Sequence, residues 1–349
     1  MKRADPGDRE ARLAERRARL SSEQQALLEQ RLRPRGPRTP QTEAAAAAAP
    51  SLVAIQPAGP RPPFFCVHPA GGDVLCFQAL SRHMGPDQPF YGLQSRGLGA
   101  GEEPFASLEE MAASYRAEIT RAAAGPYHLG GWSLGGAVAF ELARQIAAGG
   151  GEVALLAIVD STPGPWPRPV DGADGADGAA GEDESDDALW LMEIADYLER
   201  LWGLHLGLSY ETLRALPPED QALRFLSALK STPFAAGAAG PEPLRRLLHV
   251  FKTNVRAFRR YQPEPYPGRI TLFRPAAAAG GPEDGAAAAA DPTLGWGALT
   301  PEPVEIETVP GDHISALAEP HVRALAGRLR TCIDRASGSD PREGDSLIP

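Results

Sequence analysis

Short apolar runs alternate with longer amphipathic segments through the first half of the chain, a pattern typical of a parallel β-sheet wrapped by helices. The apolar runs predict strands at 64–68, 90–94, 127–131, 154–160, 269–274 and 304–309. Segments with helical periodicity lie between them, notably at 73–84, 107–124 and 134–148. The pattern therefore predicts an α/β fold with a mostly parallel central sheet flanked by helices.

The alternation of strands and helices stops after Asp160. Residues 163–187, which end in the acidic run EDESDD, are expected to form a flexible loop, and residues 188–261 have helical patterns with no strand among them. A helical block inserted between two strands of such a sheet is typical of a lid that covers a functional site at the edge of the sheet. Five of its apolar residues are expected to face that site in part: Leu189, Trp190, Tyr197, Leu201 and Trp202.

The two ends of the chain differ in composition from its centre. Residues 10–33 lack Gly and Pro and predict one or two exposed helices, and the Pro- and Ala-rich stretch up to residue 60 predicts a disordered linker. A single folded domain is expected over 61–335. The low-complexity segment 276–291 predicts a surface loop, and residues 336–349 predict a disordered tail.

Composition places the chain among globular proteins. Its 349 residues are 43% hydrophobic, enough for a full core, and no apolar run reaches the roughly 18 residues of a membrane-spanning helix. The N-terminus has no apolar segment of the kind found in signal peptides. Three cysteines, Cys66, Cys76 and Cys332, have no metal-binding spacing, so reduced thiols and a cytoplasmic location are expected.

Charge is distributed unevenly. The net charge is -10, yet residues 1–38 carry eleven basic side chains against six acidic ones. Nucleic-acid binding is a poor explanation, because this basic segment lacks interleaved aromatic residues and the rest of the chain is acidic. The composition therefore excludes nucleic acid and membrane as expected partners.

The segment GPYHLGGWSLGGAVAFELARQI, residues 125–146, supports two chemical interpretations. LGGWSL is similar to the loop of a carrier domain that holds a phosphopantetheine arm, whereas GWSLG fits the G-x-S-x-G nucleophile elbow of an α/β-hydrolase. An apolar strand precedes Ser133 and a helix follows it, and Trp132 stands where a carrier has an acid or His. The elbow is favoured, with Ser133 as nucleophile, although Ser133 could instead cap a helix in a non-catalytic protein.

A nucleophile elbow predicts an acid and then a histidine later in the chain. Asp160 closes an apolar strand and is the candidate acid, although it could simply cap the following turn. His313 follows the last strand and is the candidate base, with a surface histidine as the alternative. His321 is less favoured as the base because it lies within a helical pattern. Asp312 is disfavoured as the acid because it directly precedes His313, and neighbouring side chains in a loop seldom make the required contact. Three histidines precede the acid and are disfavoured: His68, His83 and His128.

An oxyanion site needs two backbone N–H donors. The residue after the nucleophile, Leu134, is expected to supply the first. Ala70, in the loop after the first predicted strand, is expected to supply the second, because Gly71 and Gly72 permit a tight loop there. The alternative for Ala70 is a simple strand-to-helix turn.

Seven segments together resemble the thioesterase domains of nonribosomal peptide and polyketide synthases, which are α/β-hydrolases. They occur in the family's order across 61–335: PPFFCVHPAGG, PFYGLQSRGL, SLEEMAASYRAEI, the elbow segment, LLAIVDSTP, ITLFRP and VPGDHISAL. The resemblance implies a triad of Ser133, Asp160 and His313 and a helical lid. It also implies an acyl chain presented on the phosphopantetheine arm of an acyl or peptidyl carrier protein or upstream synthase module.

The implied reaction is release of that chain through an acyl-enzyme, with no bound cofactor or metal. Two other enzymes would share the triad: a generic carboxylesterase or lipase, and an editing thioesterase that removes aberrant acyl groups. A non-catalytic docking module is the least favoured alternative. Hydrolysis is favoured over macrocyclisation, because water needs no special conformation of the acyl chain.

Overall fold

The computed structural model describes residues 51–164, 186–229, 241–277 and 291–338. The chain divides into two units, Met1–Ala48 and Ala49–Pro349, and all the described residues belong to the second. The predicted N-terminal helices, most of the acidic loop at 163–187, most of the loop at 276–291 and nearly all of the C-terminal tail lie outside the described residues.

A seven-stranded sheet forms the centre of the second unit, in the order β1-β3-β2-β4-β5-β6-β7. All neighbouring strands are parallel except β1 and β3, which are antiparallel. The strands are β1 Leu52–Gln56, β2 Phe64–Val67, β3 Phe90–Leu93, β4 Tyr127–Trp132, β5 Val153–Val159, β6 Thr271–Pro275 and β7 Glu305–Val309. The six strands expected from the sequence are therefore confirmed, within two residues at each end.

Strand β1 corrects the predicted start of the domain at residue 61. Leu52–Gln56 pairs with β3 as the edge strand of the sheet, so the fold begins about ten residues earlier and the linker cannot extend to residue 60. The Glu118 carboxylate accepts hydrogen bonds from the N–H groups of Ser51 and Leu52, at 3.1 and 2.9 Å. The strand is short and lies between Ala- and Pro-rich stretches, so the composition of the region does not indicate a strand.

Four helices cover the two faces of the sheet: α1 Gln78–Met84, α2 Leu108–Ala122, α3 Leu134–Ala148 and α8 Val322–Ala336. Side chains alternate along each strand, so Phe65 and Val67 of β2 pack with α2 and α3, whereas Phe64 and Cys66 pack with α1 and α8. Helix α2 begins where Ser107 accepts a hydrogen bond from the N–H of Glu110, a standard N-cap.

The predicted lid is confirmed as a helical insertion between β5 and β6. It contains α4 Asp187–Trp202, α5 Tyr210–Arg214, α6 Pro218–Leu229 and α7 Glu242–Arg260. These helices share a hydrophobic cluster of their own, here called the lid cluster, which includes Trp190, Leu191, Ile194, Phe225 and Leu244. Helix α7 joins the two parts of the domain, because its last turns place Ala257 in the cluster against the sheet.

Candidate active site

Ser133 lies at the sharp turn between β4 and α3, at the carboxyl edge of the sheet. Its backbone has φ 57° and ψ -131°, a conformation that costs of order 1–3 kcal/mol in a residue with a side chain. Two hydrogen bonds hold the turn: the N–H of Ser133 donates to Val159 O at 3.1 Å, and the N–H of Gly136 donates to Ser133 O at 2.9 Å. The sequence therefore folds locally as the elbow that was predicted.

Both outer glycines of GWSLG are required by close backbone approach. A Cβ added at Gly131 would lie 1.9 Å from Gly135 O, and a Cβ added at Gly135 would lie 2.4 Å from Val67 O. No side chain fits at such distances. The turn can therefore bring α3 directly against β2, and α3 begins immediately after Ser133.

Asp160 and His313 follow the ends of two other strands of the sheet, and both lie beside Ser133. Asp160 follows β5 and is held by its N–H, which donates to Phe273 O at 2.9 Å, and His313 follows β7. His313 Nδ1 lies 2.7 Å from Asp160 Oδ2, and His313 Nε2 lies 3.1 Å from Ser133 Oγ. The structure thus joins the three predicted side chains in one hydrogen-bonded line.

The loop that carries His313 is fixed from both sides. Trp132 Nε1, one residue before the nucleophile, donates to His313 O at 2.9 Å. Asp312 accepts from the N–H groups of Ile314 and Ser315 at 3.1 and 3.0 Å, and its Oδ1 lies 2.7 Å from Arg200 Nη2 of α4. Burial alone would raise the pKa of Asp312, but the hydrogen bonds from Ser315 and the nearby Arg200 lower it below its usual value. Asp312 thus shapes the loop and anchors it to the lid.

The disfavoured histidines lie elsewhere. His68 and His128 are buried, and burial lowers the pKa of each to about 4. His83 Nε2 pairs with Glu319 at 2.6 Å, and His321 is at the start of α8. None of the four is bonded to Ser133 among the described residues. Chain order together with the position after the last strand therefore selects the histidine that the fold brings to the serine.

Ala70 and Leu134, the two predicted oxyanion donors, come from the loop after β2 and from the start of α3. Leu134 is the first residue of α3, where the N–H has no partner within the helix. Ala70 follows β2 in a tight loop in which the N–H of Gly72 donates to Pro69 O at 2.9 Å, and it lines the same cavity as Ser133 and His313. Whether the two N–H groups bind an oxyanion stays a prediction.

A cavity of about 240 Å³ opens over Ser133 and His313. The lid supplies much of its wall through Ile194, Tyr197 and Leu198 of α4 and Leu247 and Phe251 of α7. Two carboxyl side chains, Asp73 and Glu193, also line it, and burial raises the pKa of Asp73 above its usual value. The site can therefore enclose an apolar group beside the serine.

Of the five lid residues expected at the site, Tyr197 is in the wall, where its ring stacks on Trp132 at 5.9 Å between centroids. Trp190 is instead part of the lid cluster, and Leu201 packs in the cluster of α1 and α8. The contacts of Trp132 and Arg200 with the His313 loop were not foreseen. No sequence signal marks them, because each joins residues more than a hundred positions apart.

Comparison with known proteins connects this geometry to a family. The family model described as Thioesterase domain matches residues 62–333, most of the chain. The chain belongs to the thioesterase domain family. The resemblance seen in the sequence is thereby confirmed.

Curated relatives of this thioesterase domain are large synthases. The chain is 31% identical over 288 residues to chondramide synthase cmdD of Chondromyces crocatus, which covers 81% of the chain and 7% of the synthase. It is 48% identical over 113 residues to a dimodular nonribosomal peptide synthase of Bacillus subtilis (strain 168), covering 32% of the chain and 5% of that protein. The chain thus spans a small fraction of these relatives.

Solved structures similar to the thioesterase domain carry the same fold. A four-domain nonribosomal peptide synthetase has a TM-score of 0.68 and 27% identity, covering 88% of this chain and 21% of that one. The Vlm2 thioesterase domain has a TM-score of 0.57 and 26% identity, covering 81% and 96%. The NocB thioesterase domain in covalent complex with a fluorophosphonate nocardicin G analogue has a TM-score of 0.52 and 27% identity, covering 82% and 99%. The expected α/β-hydrolase fold is confirmed, and the enzyme is a serine hydrolase of the thioesterase type.

Proposed function

We propose that this thioesterase domain releases an acyl or peptidyl chain from the phosphopantetheine arm of a carrier domain, through an acyl-enzyme on Ser133. The observation that carries the proposal is the hydrogen-bonded line from Asp160 through His313 to Ser133, beneath a largely apolar cavity. Such a line is the arrangement that activates a serine hydroxyl for acyl transfer.

In the first half of the reaction, His313 Nε2 takes the Ser133 proton as Oγ attacks the thioester carbonyl. Asp160 accepts the hydrogen bond from His313 Nδ1–H, which holds the imidazole in the right tautomer and offsets the charge of the imidazolium that forms. The tetrahedral oxyanion is stabilised by the N–H groups of Leu134 and Ala70. His313 then protonates the departing thiolate, and the acyl-serine ester remains.

In the second half, His313 deprotonates the nucleophile that attacks the ester, and Ser133 recovers its proton as the product leaves. Each step is an acyl transfer balanced by one proton on His313. The reaction as proposed therefore draws on no bound cofactor or metal.

The acyl donor is a proposal supported by the relatives, which are synthases, one of them a nonribosomal peptide synthase. We propose that an acyl or peptidyl carrier protein, or an upstream synthase module, delivers the chain, and that this takes place in the cytoplasm. No helix among the described residues has both the length and the apolar character needed to cross a membrane. The cavity wall formed by α4 and α7 receives the acyl chain.

We favour hydrolysis to a linear acid over macrocyclisation. Water needs no special conformation of the acyl chain, whereas an internal nucleophile requires the lid to fold the chain back over Ser133. Presenting the acyl chain on its carrier and weighing the product decides between them. A product mass lower than that of the free acid by one water would show that an internal nucleophile attacked.

The triad is tested by single substitutions and a thioester assay. Ser133→Ala and His313→Ala should each lower turnover by about 10⁶-fold, and Asp160→Ala by about 10⁴-fold, because the three groups act as a unit. A fluorophosphonate should phosphonylate the wild-type protein, adding the mass of the probe less that of HF, and should leave Ser133→Ala unmodified. Near-normal turnover by either of the first two variants would refute the triad.

The alternative enzymes are separated by substrate. A generic esterase should cleave small oxygen esters as fast as carrier-bound thioesters, whereas the proposed enzyme should prefer the carrier-bound chain. An editing thioesterase should prefer short acyl groups to the full-length chain on the same carrier. Absence of a phosphonylated serine after treatment with the fluorophosphonate would leave the docking module as the remaining interpretation.

A further inference from the structure

Two buried polar side chains hold the two peptide groups on either side of Ala70. Pro69 O, in the peptide that carries the Ala70 N–H, lies 2.7 Å from His68 Nδ1. Ala70 O, in the next peptide, accepts from Asn254 Nδ2 of the lid helix α7 at 3.0 Å. Both His68 and Asn254 are 0% exposed. Neither side chain reaches the cavity lining, so neither takes part in the proposed chemistry directly.

We propose that His68 and Asn254 are positioning residues that fix the direction of the Ala70 N–H, and that α7 thereby makes the oxyanion site depend on the lid. This inference rests on the proposed function, because it assumes that the Ala70 N–H binds the oxyanion. The lid then both covers the catalytic site and helps to orient one of its oxyanion donors.

The tautomer of His68 follows from its partners. Pro69 O can only accept, so Nδ1 must carry the hydrogen and donate it. Burial lowers the pKa of His68 to about 4, so the ring is neutral near pH 7 and Nε2 has a free lone pair. Tyr115 Oη lies 2.8 Å from Nε2 and 3.2 Å from Gln94 O. Its single hydrogen is assigned to Nε2, because that contact is the shorter one and the Nδ1–H tautomer leaves Nε2 as an acceptor. His68 is thus locked in the form that can hold the Pro69 carbonyl.

Fixing the orientation of the Pro69 carbonyl also fixes the direction of the Ala70 N–H. In a trans peptide the C=O and the following N–H point in opposite directions. Pro69 O accepts hydrogen bonds from His68 Nδ1 and from the N–H of Gly72, at 2.7 and 2.9 Å, and these two donors fix its direction. The Ala70 N–H on the same peptide is therefore turned away from both donors, and Ala70 itself lines the cavity with Ser133.

Asn254 connects this loop to the lid. Ala70 O can only accept, so the amide group of Asn254 facing it must be the NH₂. Asn254 Oδ1 is buried and has no hydrogen-bond partner among the described residues, an arrangement that costs stability. An apolar residue would avoid that cost. Packing alone therefore does not explain an asparagine at this position, whereas its hydrogen bond to Ala70 O does.

Helix α7 also approaches the loop too closely to move independently of it. A Cβ added at Gly72 would lie 2.7 Å from Val250 Cγ1 of α7. The same helix carries Leu247 and Phe251 in the cavity wall. A displacement of α7 would therefore change the acyl pocket and the Ala70 peptide together.

The test uses Asn254→Leu, which keeps the volume and removes the donor, and Leu248→Ala as a matched control. Leu248 is a buried residue of α7 in the lid cluster and is outside the cavity over Ser133. Rates are measured per active site on a small soluble acyl thioester, with active sites counted by fluorophosphonate titration. Affinity is measured for a trifluoromethyl ketone analogue, whose adduct with Ser133 carries an oxyanion.

Removing a whole oxyanion donor costs about 10²- to 10³-fold in kcat, so a misdirected donor should cost somewhat less, about 10- to 100-fold. We expect Asn254→Leu to lower kcat by that factor at unchanged KM and to weaken the trifluoromethyl ketone in parallel. Leu248→Ala should lower the melting temperature and leave kcat per active site unchanged. A merely structural role for Asn254 would reduce the titrated fraction and not the rate per site.

The His68 arm keeps the proposal testable if Asn254→Leu fails to fold. Tyr115→Phe removes the hydroxyl that contacts His68 Nε2 and Gln94 O while keeping the ring, and His68→Asn retains a donor near the position of Nδ1. We expect His68→Asn to keep more kcat than His68→Ala, and Tyr115→Phe to weaken the ketone. Full kcat per site in Asn254→Leu and Tyr115→Phe would overturn the inference while Ser133→Ala stays inactive, whereas activity in Ser133→Ala would overturn the proposed function itself.

Discussion

Ser133 shows how single residues define the site. Its strained backbone at φ 57° is held by hydrogen bonds to Val159 and Gly136, and glycine is required on both sides because carbonyl oxygens occupy the space of a side chain. Each feature is a local steric fact. The two-residue spacing of Gly131, Ser133 and Gly135 therefore has a physical cause that single substitutions can test.

Substituting Gly135 tests that cause. Gly135→Ala places a methyl group 2.4 Å from Val67 O and 2.5 Å from His68 O, so α3 must shift away from β2. We expect a loss of about 1–3 kcal/mol in the free energy of unfolding and a lower kcat, measured by urea denaturation and thioester turnover.

Gly327→Ala is the matched control for Gly135→Ala. Gly327 lies within α8 with nothing within 4 Å of an added Cβ, and alanine is the better helix former, so this change should stabilise by about 0.5–1 kcal/mol. Wild-type stability and turnover in Gly135→Ala would contradict the steric account of the elbow.

At the scale of elements, the lid is a small hydrophobic unit attached to the sheet at a few points. Helices α4, α5 and α6 bury most of their apolar residues in the lid cluster, whereas α7 also reaches the cluster against the sheet through Ala257. Arg200 ties α4 to the His313 loop, and Tyr197 stacks on Trp132. The lid is therefore expected to open more easily than the sheet.

Hydrogen exchange measures that difference. Amides of α4 and α6 should open with a lower free energy than those of β4 and β5, because they depend on a separate and smaller core. Within α7, the last turns should exchange more slowly than the first. Equal protection across the lid and the central strands would contradict a lid that moves by itself.

The whole molecule should lose stability in acid for a reason visible in its core. Burial lowers the pKa of His68 and His128 to about 4, against about 6.5 in an unfolded chain. As pH falls from about 6.5 toward 4, the unfolded state binds protons that the folded state does not, so the free energy of unfolding decreases. Each histidine should account for about 2 kcal/mol at pH 5.

His128 allows this prediction to be checked away from the active site. In β4 its Nε2 lies 3.2 Å from Ser337 Oγ. Replacing it in His128→Gln should shrink the difference in unfolding free energy between pH 7 and pH 5 by about 2 kcal/mol, measured by urea denaturation at both values. An unchanged difference would show that His128 is not held neutral.

The N-terminal segment is expected to serve docking and not chemistry, since residues 1–38 are basic and the rest of the chain is acidic. Deleting residues 1–48 should preserve cleavage of a small thioester and raise the KM for a carrier-bound chain. Deleting 1–56 is the control, because it also removes β1 and should destabilise the fold. Loss of the fold on the shorter deletion would make the segment structural.

The sequence by itself determined the features that depend on neighbouring residues. Side-chain periodicity specified six strands and the lid helices, and local sterics specified the elbow around Ser133. Chain order combined with the position at the end of a strand singled out Asp160 and His313. The fold then brought those three side chains within hydrogen-bonding distance, while their catalytic roles stay a prediction. Periodicity and steric fit are properties of short segments, which is why they can be recognised without a structure.

Only the tertiary structure decided the features that join distant segments. These are the pairing of β1 with β3, the bond of Trp132 to the His313 loop, the choice of lid residues at the cavity, and the reach of Asn254 to Ala70 across 184 residues. Each depends on the angle and depth at which one packed element meets another. That geometry is set by the whole core at once, so no local pattern in the sequence carries it.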